Sequence, residues 1–139
     1  MSDREILESK ISYLRKRLAT AIKYRAFKLH QIQSEGIVRG AVERELYLIC
    51  QSAIDLAEAL IAYRRFRKPN TMREAFEILK EEGVLPPKFA DEFSKITGFR
   101  NAMAHGYENL DPQIVFDVLQ NKTKEVAKYL AFIKKTLDV

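Results

Sequence analysis

The sequence predicts an all-α fold, a bundle of four main helices plus a short connector helix. Three observations predict it. Apolar residues recur at three- and four-residue spacing over long stretches, and no stretch alternates in the manner of a half-buried strand. The 139 residues include only five Gly and four Pro, too little turn chemistry for a sandwich or barrel. Apolar residues make up 47% of the chain, enough to give a single domain spanning residues 1–139 a real core. No internal repeat, low-complexity stretch or linker divides it.

The elements follow in order. Ser2 or Asp3 caps the first helix, and Glu5 and Glu8 complement the positive end of its dipole. Leu7, Ile11, Leu14, Leu18, Ile22, Leu29 and Ile32 form one apolar stripe, so this helix is expected to run to about Gln33, where Ser34-Glu35-Gly36 breaks it. About thirty residues would span roughly 45 Å, long for so small a domain. The second helix runs from about Ile37 to about Phe66. It carries two adjacent stripes, Leu46, Ile49, Ala53, Leu56, Leu60 and Cys50, Ile54, Ala57, Ile61. A helix apolar over most of its circumference is packed on two sides. It is either the central helix of the bundle or carries a dimer interface as well. Arg64 to Lys68 place cations at its C-terminal end, and Pro69-Asn70 stops it.

Thr71 and Glu74 read as a capping box opening the short connector, with Ala75, Phe76, Ile78 and Leu79 as its apolar face and Gly83 as its C′ residue. Pro86-Pro87 opens the next helix, whose face is Phe89, Ala90, Phe93 and Ile96. This helix is expected to continue through Gly98, with a kink there, and to end at Gly106. Asp111-Pro112 supplies an N-cap and a proline at the first helical position. The last helix then carries Ile114, Val115, Val118, Leu119, Val126, Leu130, Ile133 and Leu137 to the end of the chain.

Several chemistries are excluded at once. Cys50 is the only cysteine, so neither an internal disulfide nor a cysteine zinc site is available. His30 and His105 are the only histidines, and no metal or cofactor is expected. There is no Walker loop, G-x-G-x-x-G, H-E-x-x-H or nucleophile elbow. Cys50 lies in the most apolar helix and reads as core. The start, MSDREILESK, lacks the apolar region of a secretory signal, and no run approaches about 18 uninterrupted apolar residues. A cytoplasmic protein without membrane contact is expected.

The stretch richest in chemistry is Arg100-Asn101-Ala102-Met103-Ala104-His105-Gly106-Tyr107. On a helix Asn101 and His105 are i,i+4 neighbours, so Asn101 can bond a ring nitrogen of His105 and fix its tautomer. Arg100 lies about 100° round from Asn101, with a side chain long enough to reach the same cleft. An Arg and a His around one cleft suit phosphodiester chemistry. The His can take a proton from a ribose 2′-hydroxyl or give one to the leaving oxygen. The Arg can hold the phosphate bidentately as charge develops. One His cannot be base and acid in the same step, and two facing copies of the motif in a dimer would supply both. The same residues also fit a bland role, with His105 as a dipole partner and Arg100-Asn101 as a network joining two helices.

Arg100-Asn101-x-x-x-His105-x-Tyr107 resembles the R-N-x-x-x-H-x-Y signature of the HepT-like branch of the HEPN superfamily. Arg39 to Leu60 resembles the second helix of that family, Thr71 to Leu79 and Gly83-Val84-Leu85 its connector, and Asp111-Pro112 follows the motif at the expected place. The resemblance covers essentially the whole chain and departs at no motif position. It implies an α-helical homodimer, dimerising through the motif-bearing helices, whose paired motifs line a cleft. It also implies a metal-independent endoribonuclease, the toxin of a toxin–antitoxin pair. Arg100 and His105 map to the catalytic pair and Asn101 to a supporting residue. The implied partner is a minimal nucleotidyltransferase of the MntA type, in a dimer or a larger hetero-oligomer, which neutralises the toxin by adenylylating the tyrosine that maps to Tyr107. Anionic AMP groups at the cleft mouth would block RNA and occupy the arginines. The alternative is a non-enzymatic HEPN module that docks the nucleotidyltransferase.

The charge distribution adds a second candidate surface. Residues 1–68 carry 14 basic and 8 acidic residues, and residues 69–139 carry 10 and 11, so the net +5 belongs to the first two helices. Between Ser9 and Ser34 there are seven cations and no acid: Lys10, Arg15, Lys16, Arg17, Lys23, Arg25 and Lys28, interleaved with Tyr13, Tyr24 and Phe27. Such a stripe can track a phosphate backbone and stack bases, with Lys10, Arg17, Lys23, Arg25 and Lys28 as the RNA contacts. An acidic protein partner or a plain solvated face fits the same pattern. His30, near the end of the first helix, reads as a dipole cap or surface residue. Asp55, among apolar neighbours, reads either as a buried partner for Arg100 or another helix, or as an exposed position.

Overall fold

The computed structural model describes residues 1–106 and 110–137. Among them it is entirely helical: α1 (Asp3–Tyr24), α2 (Leu29–Ser34), α3 (Gly36–Arg64), α4 (Met72–Glu81), α5 (Pro87–Phe93), α6 (Ile96–His105), α7 (Pro112–Asn121) and α8 (Thr123–Thr136). The predicted all-α bundle is present, with α4 as the connector. Three of the four long helices of the sequence reading are, however, each broken in two.

The first break separates α1 from α2. After Tyr24 the backbone tightens to i→i−3 hydrogen bonds at Arg25, Ala26 and Phe27. Phe27 folds back on Tyr24, with ring centroids 5.7 Å apart. Gln120 of α7 donates to the Arg25 carbonyl at 2.8 Å, and Gln31 accepts from the Lys28 N–H at 2.7 Å, so groups freed by the break are satisfied. The chain is re-aimed so that α2 packs on α3 and α7. Ile22, expected in the stripe, is 49% exposed, and Ala21 takes the core position instead. His30 therefore stands exposed in the first turn of α2, not at the end of a long helix.

The second break falls at Ser94–Lys95, before Gly98 and not at it. The buried Ser94 and Thr97 hydroxyls donate to the carbonyls of Asp91 and Ser94, at 2.9 and 2.8 Å. These local bonds offer the backbone an alternative to the helical ladder. Gly98 then lies inside α6. The third break is at Lys122, where the buried Thr123 hydroxyl bonds back to the Leu119 carbonyl at 3.2 Å. Back-bonding of this kind bends helices.

The caps read from the sequence are present. Ser2, Thr71 and Asp111 accept from the backbone N–H of Glu5, Glu74 and Gln113. Glu74 reaches back to the N–H of Asn70 at 2.8 Å, one residue earlier than the standard box. Gly83, at φ 73°, ends α4 with the N–H of Val84 on the Leu79 carbonyl. Arg65, at φ 59°, ends α3 in the same way without a glycine. Arg64 stands in the last turn of α3 as expected, and it also donates to the carbonyl of Thr136 at the end of α8. Arg67 binds Glu81 through two nitrogens.

The core is centred on α3, which packs against α1, α2, α4, α6 and α7. Both predicted stripes of α3 are buried. By length and composition α3 could also cross a bilayer, and over half of that stretch is buried inside the bundle. Phe76, Phe93 and Tyr129 tie α4, α5 and α8 together, with the Phe93 and Tyr129 rings stacked at 4.5 Å. The buried Tyr129 hydroxyl donates to the Ala53 carbonyl of α3 at 2.8 Å.

Two stability changes of opposite sign follow. Tyr129→Phe should cost about 1 kcal/mol in urea unfolding, since it removes one buried hydrogen bond and little packing. Gly98→Ala should gain about 0.5–1 kcal/mol in the same measurement, because the added methyl meets no atom within 4 Å and the position is helical.

Candidate active site

The motif sits on α6, and the packing of that helix sorts its side chains. Met103 is fully buried and anchors the helix on the core. Asn101, Ala102 and His105 are exposed, and Arg100 is half-buried at the edge facing α3. Small Ala102 and Ala104 leave the polar groups uncrowded. Gly106 closes the helix through its N–H on the Ala102 carbonyl at 2.9 Å. Tyr107 lies outside the described residues.

Arg100 is held by three neutral groups. Its Nε donates to Gln51 Oε1 at 2.8 Å, its Nη1 to Asn101 Oδ1 at 3.1 Å and its Nη2 to Tyr47 Oη at 3.4 Å. The guanidinium also lies 5.6 Å from the centre of the Tyr47 ring. A guanidinium has five N–H groups. These contacts engage three, so among the described residues one N–H on each terminal nitrogen is left, the number that a bidentate grip on phosphate needs.

The expected pairings are thus partly rearranged. Asn101 turns to Arg100, and no hydrogen bond joins it to His105 among the described residues, although both share the exposed face of α6. Asp55 does not pair with Arg100. It accepts from Gln51 Nε2 at 2.9 Å, so Gln51 stands between the two. Sequence reading missed Tyr47 and Gln51. Their signal was the four-residue spacing Tyr47, Gln51, Asp55, a polar row beside the apolar stripes of the same helix.

The cations of α1 do not make one stripe. Arg17 is turned inward, 3.4 Å from the buried carboxylate of Glu45 and 5.5 Å from the Tyr13 ring centre. Burial raises the Glu45 pKa, against the opposing pull of Arg17 and Arg44. Lys10 lines a surface hollow with Tyr13, Ser52 and Asp55, while Arg15 faces Lys134 and Lys135 across a groove between α1 and α8. Lys23, Arg25 and Lys28 are exposed around the turn into α2.

Two further groups bear on the chemistry. Burial pushes the Cys50 thiol up to about 12, which keeps it protonated and unreactive near neutral pH. Among the described residues no three His, Cys, Asp or Glu side chains converge in the manner of a metal site.

Known proteins share this arrangement of helices. The chain is 27% identical over 132 residues to the tRNA nuclease HepT of Aphanizomenon flos-aquae, covering 95% of this chain and 90% of that protein. It is 24% identical over 104 residues to the mRNA nuclease HepT of Shewanella oneidensis, covering 75% and 78%. The tri-AMPylated Shewanella oneidensis HEPN toxin, solved in complex with the MNT antitoxin, superposes with a TM-score of 0.84 at 23% identity, over 97% of this chain and 99% of that one. The profile of the family described as Ribonuclease HepT-like matches residues 8–133. With nearly its whole length matched, this chain belongs to the ribonuclease HepT-like family.

Proposed function

We propose that this chain is a metal-independent endoribonuclease, the toxin of a pair with an MntA-like minimal nucleotidyltransferase. One observation carries the proposal: the half-buried Arg100 is fixed by neutral groups with two N–H groups to spare, on the helix that ends at the exposed His105. The nuclease names of two relatives and the AMPylated toxin–antitoxin complex of a structural neighbour support it.

In this reading His105 takes the proton of a ribose 2′-hydroxyl, and that oxygen attacks the adjacent phosphorus. Arg100 grips two non-bridging oxygens and stabilises the charge that builds on them. The bond from phosphorus to the 5′-oxygen breaks, and His105 of a second copy protonates that oxygen. The products are a 2′,3′-cyclic phosphate and a free 5′-hydroxyl. Arg100 and His105 lie about 140° apart around α6, which favours a shared cleft between two copies over a site within one. The acting form is therefore a homodimer paired through α6, and a larger hetero-oligomer with the nucleotidyltransferase.

Asn101 supports Arg100, and Tyr107 is the residue adenylylated by the partner. Lys23, Arg25 and Lys28 are the exposed candidates for RNA contact, with Lys10 beside Asp55. Arg17 is the weakest of the five, because Glu45 already holds it. The compartment is the cytoplasm, and one domain spans the chain.

Arg100→Ala and His105→Ala should each slow cleavage of single-stranded RNA by about 10²-fold or more and abolish growth arrest, with unchanged helical content. Cleavage by the wild-type protein should survive EDTA. Full activity in both variants would show the site to be wrong, and tight binding of the nucleotidyltransferase without any RNA cleavage would favour a docking module. Intact mass after co-expression with the nucleotidyltransferase should show AMP increments, and Tyr107→Phe should lose them.

A further inference from the structure

Four arginines are half-buried among the described residues: Arg4, Arg17, Arg39 and Arg100. Arg4 pairs with Glu8, Arg17 with Glu45 and Arg39 with Glu43. Arg100 alone is in no ion pair among the described residues, and each of its hydrogen-bond partners is neutral. A carboxylate nevertheless stands one side chain away. Asp55 accepts from Gln51 Nε2 at 2.9 Å, and Gln51 Oε1 accepts from Arg100 Nε at 2.8 Å.

The order of this row has a physical consequence. A primary amide presents a donor on one side and an acceptor on the other, and its two orientations differ only in which side is which. An ionised carboxylate accepts and cannot donate. Asp55 therefore fixes the amide with its NH2 toward the Asp55 carboxylate and its oxygen toward Arg100. The guanidinium receives the orienting bond at Nε, and the charge of Asp55 stays one residue removed. A carboxylate placed directly on Arg100 would hold it as well or better, but would occupy the N–H groups and cancel the charge that a phosphate needs.

We infer that Gln51, oriented by Asp55, is a positioning residue that holds Arg100 without neutralising it, and that Tyr47 supports the far side of the same guanidinium. The inference rests on the nuclease reading for its consequence in catalysis, and on the hydrogen-bonded row alone for its effect on phosphate binding. Lys10 of α1 lines the same hollow as Asp55.

Two variants separate positioning from mere structure. Gln51→Leu removes the bond to Nε, and Gln51→Glu keeps an acceptor there but adds a charge. The measurements are steady-state cleavage of a short single-stranded RNA, binding of the same sequence with 2′-deoxy substitution so that it cannot be cut, and the Arg100 Nε–H signal by NMR. Gln51→Leu should lower kcat about tenfold to a hundredfold with little change in KM, and the Nε–H should lose its protection from exchange. Gln51→Glu should keep that protection yet weaken binding of the uncleavable RNA about tenfold, the loss of one charge-assisted contact.

A purely structural role makes the opposite prediction for Gln51→Glu, since the hydrogen bond survives. Wild-type binding in that variant overturns the inference, as does wild-type kcat in Gln51→Leu. A wild-type protein that binds the uncleavable RNA but never cuts its natural counterpart overturns the nuclease reading alone, and the binding series then decides the role of Gln51. A wild-type protein that neither binds nor cuts overturns both.

Discussion

Val42, Ala53, Ile54, Leu56, Ala57 and Leu60 are fully buried, and at about 100° per residue they span a fan of roughly 160° around α3. An apolar face that wide must be enclosed, and the enclosing is what arranges the molecule. α1 and α2 cover one side, α6 and α7 another, and α4 closes the C-terminal end. The opposite side of α3 carries the polar row of Tyr47, Gln51 and Asp55, with Arg44 and Glu58 exposed beside it. The position of Arg100 is thus a consequence of the core: Met103 buries the inner face of α6, and this leaves Arg100 at the edge that meets the polar row.

The same constraint explains which parts of the fold were legible in the sequence. Helical periodicity marked every segment, and the caps at Ser2, Thr71, Gly83 and Asp111 were recognisable because each acts within a few residues. The breaks at residues 25–28, at Ser94–Lys95 and at Lys122 carry no Pro or Gly and left no comparable mark. Two of them coincide with hydroxyls of Ser94, Thr97 and Thr123 bonding to nearby carbonyls. The first depends on Gln120, far away in sequence, satisfying the carbonyl of Arg25. Gly98 looked like the weak point of its helix, yet it lies within α6, because the hydroxyls had already broken the ladder four residues earlier.

The site was legible in its motif and illegible in its support. Arg100, Asn101 and His105 are adjacent in sequence, so their common helix could be read directly. Tyr47 and Gln51 are about fifty residues away, and only packing brings them to Arg100. The basic run of α1 shows the reverse error. Lys10, Arg15, Lys16, Arg17 and Lys23 are neighbours in sequence on that helix, but at about 100° per residue they point to different sides, and Arg25 and Lys28 fall in the turn beyond it. Arg17 is drawn in by Glu45, whose burial no local pattern announces.

The net charge of the chain therefore says less about its surface than the pairing of individual arginines does. Arg17 and Arg39 are anchored to buried carboxylates, and Arg39 also donates to the Leu110 carbonyl just before α7. These charges are committed to holding helices together. Among the described residues Arg100 is a partly desolvated cation without a counter-charge, which burial ordinarily selects against. The loss is limited by three neutral acceptors and by the Tyr47 ring face, each of which stabilises the cation without cancelling it. An arginine kept in this state is stabilised further by any anion that arrives at its free N–H groups, and a phosphodiester brings two oxygens at the spacing those groups offer.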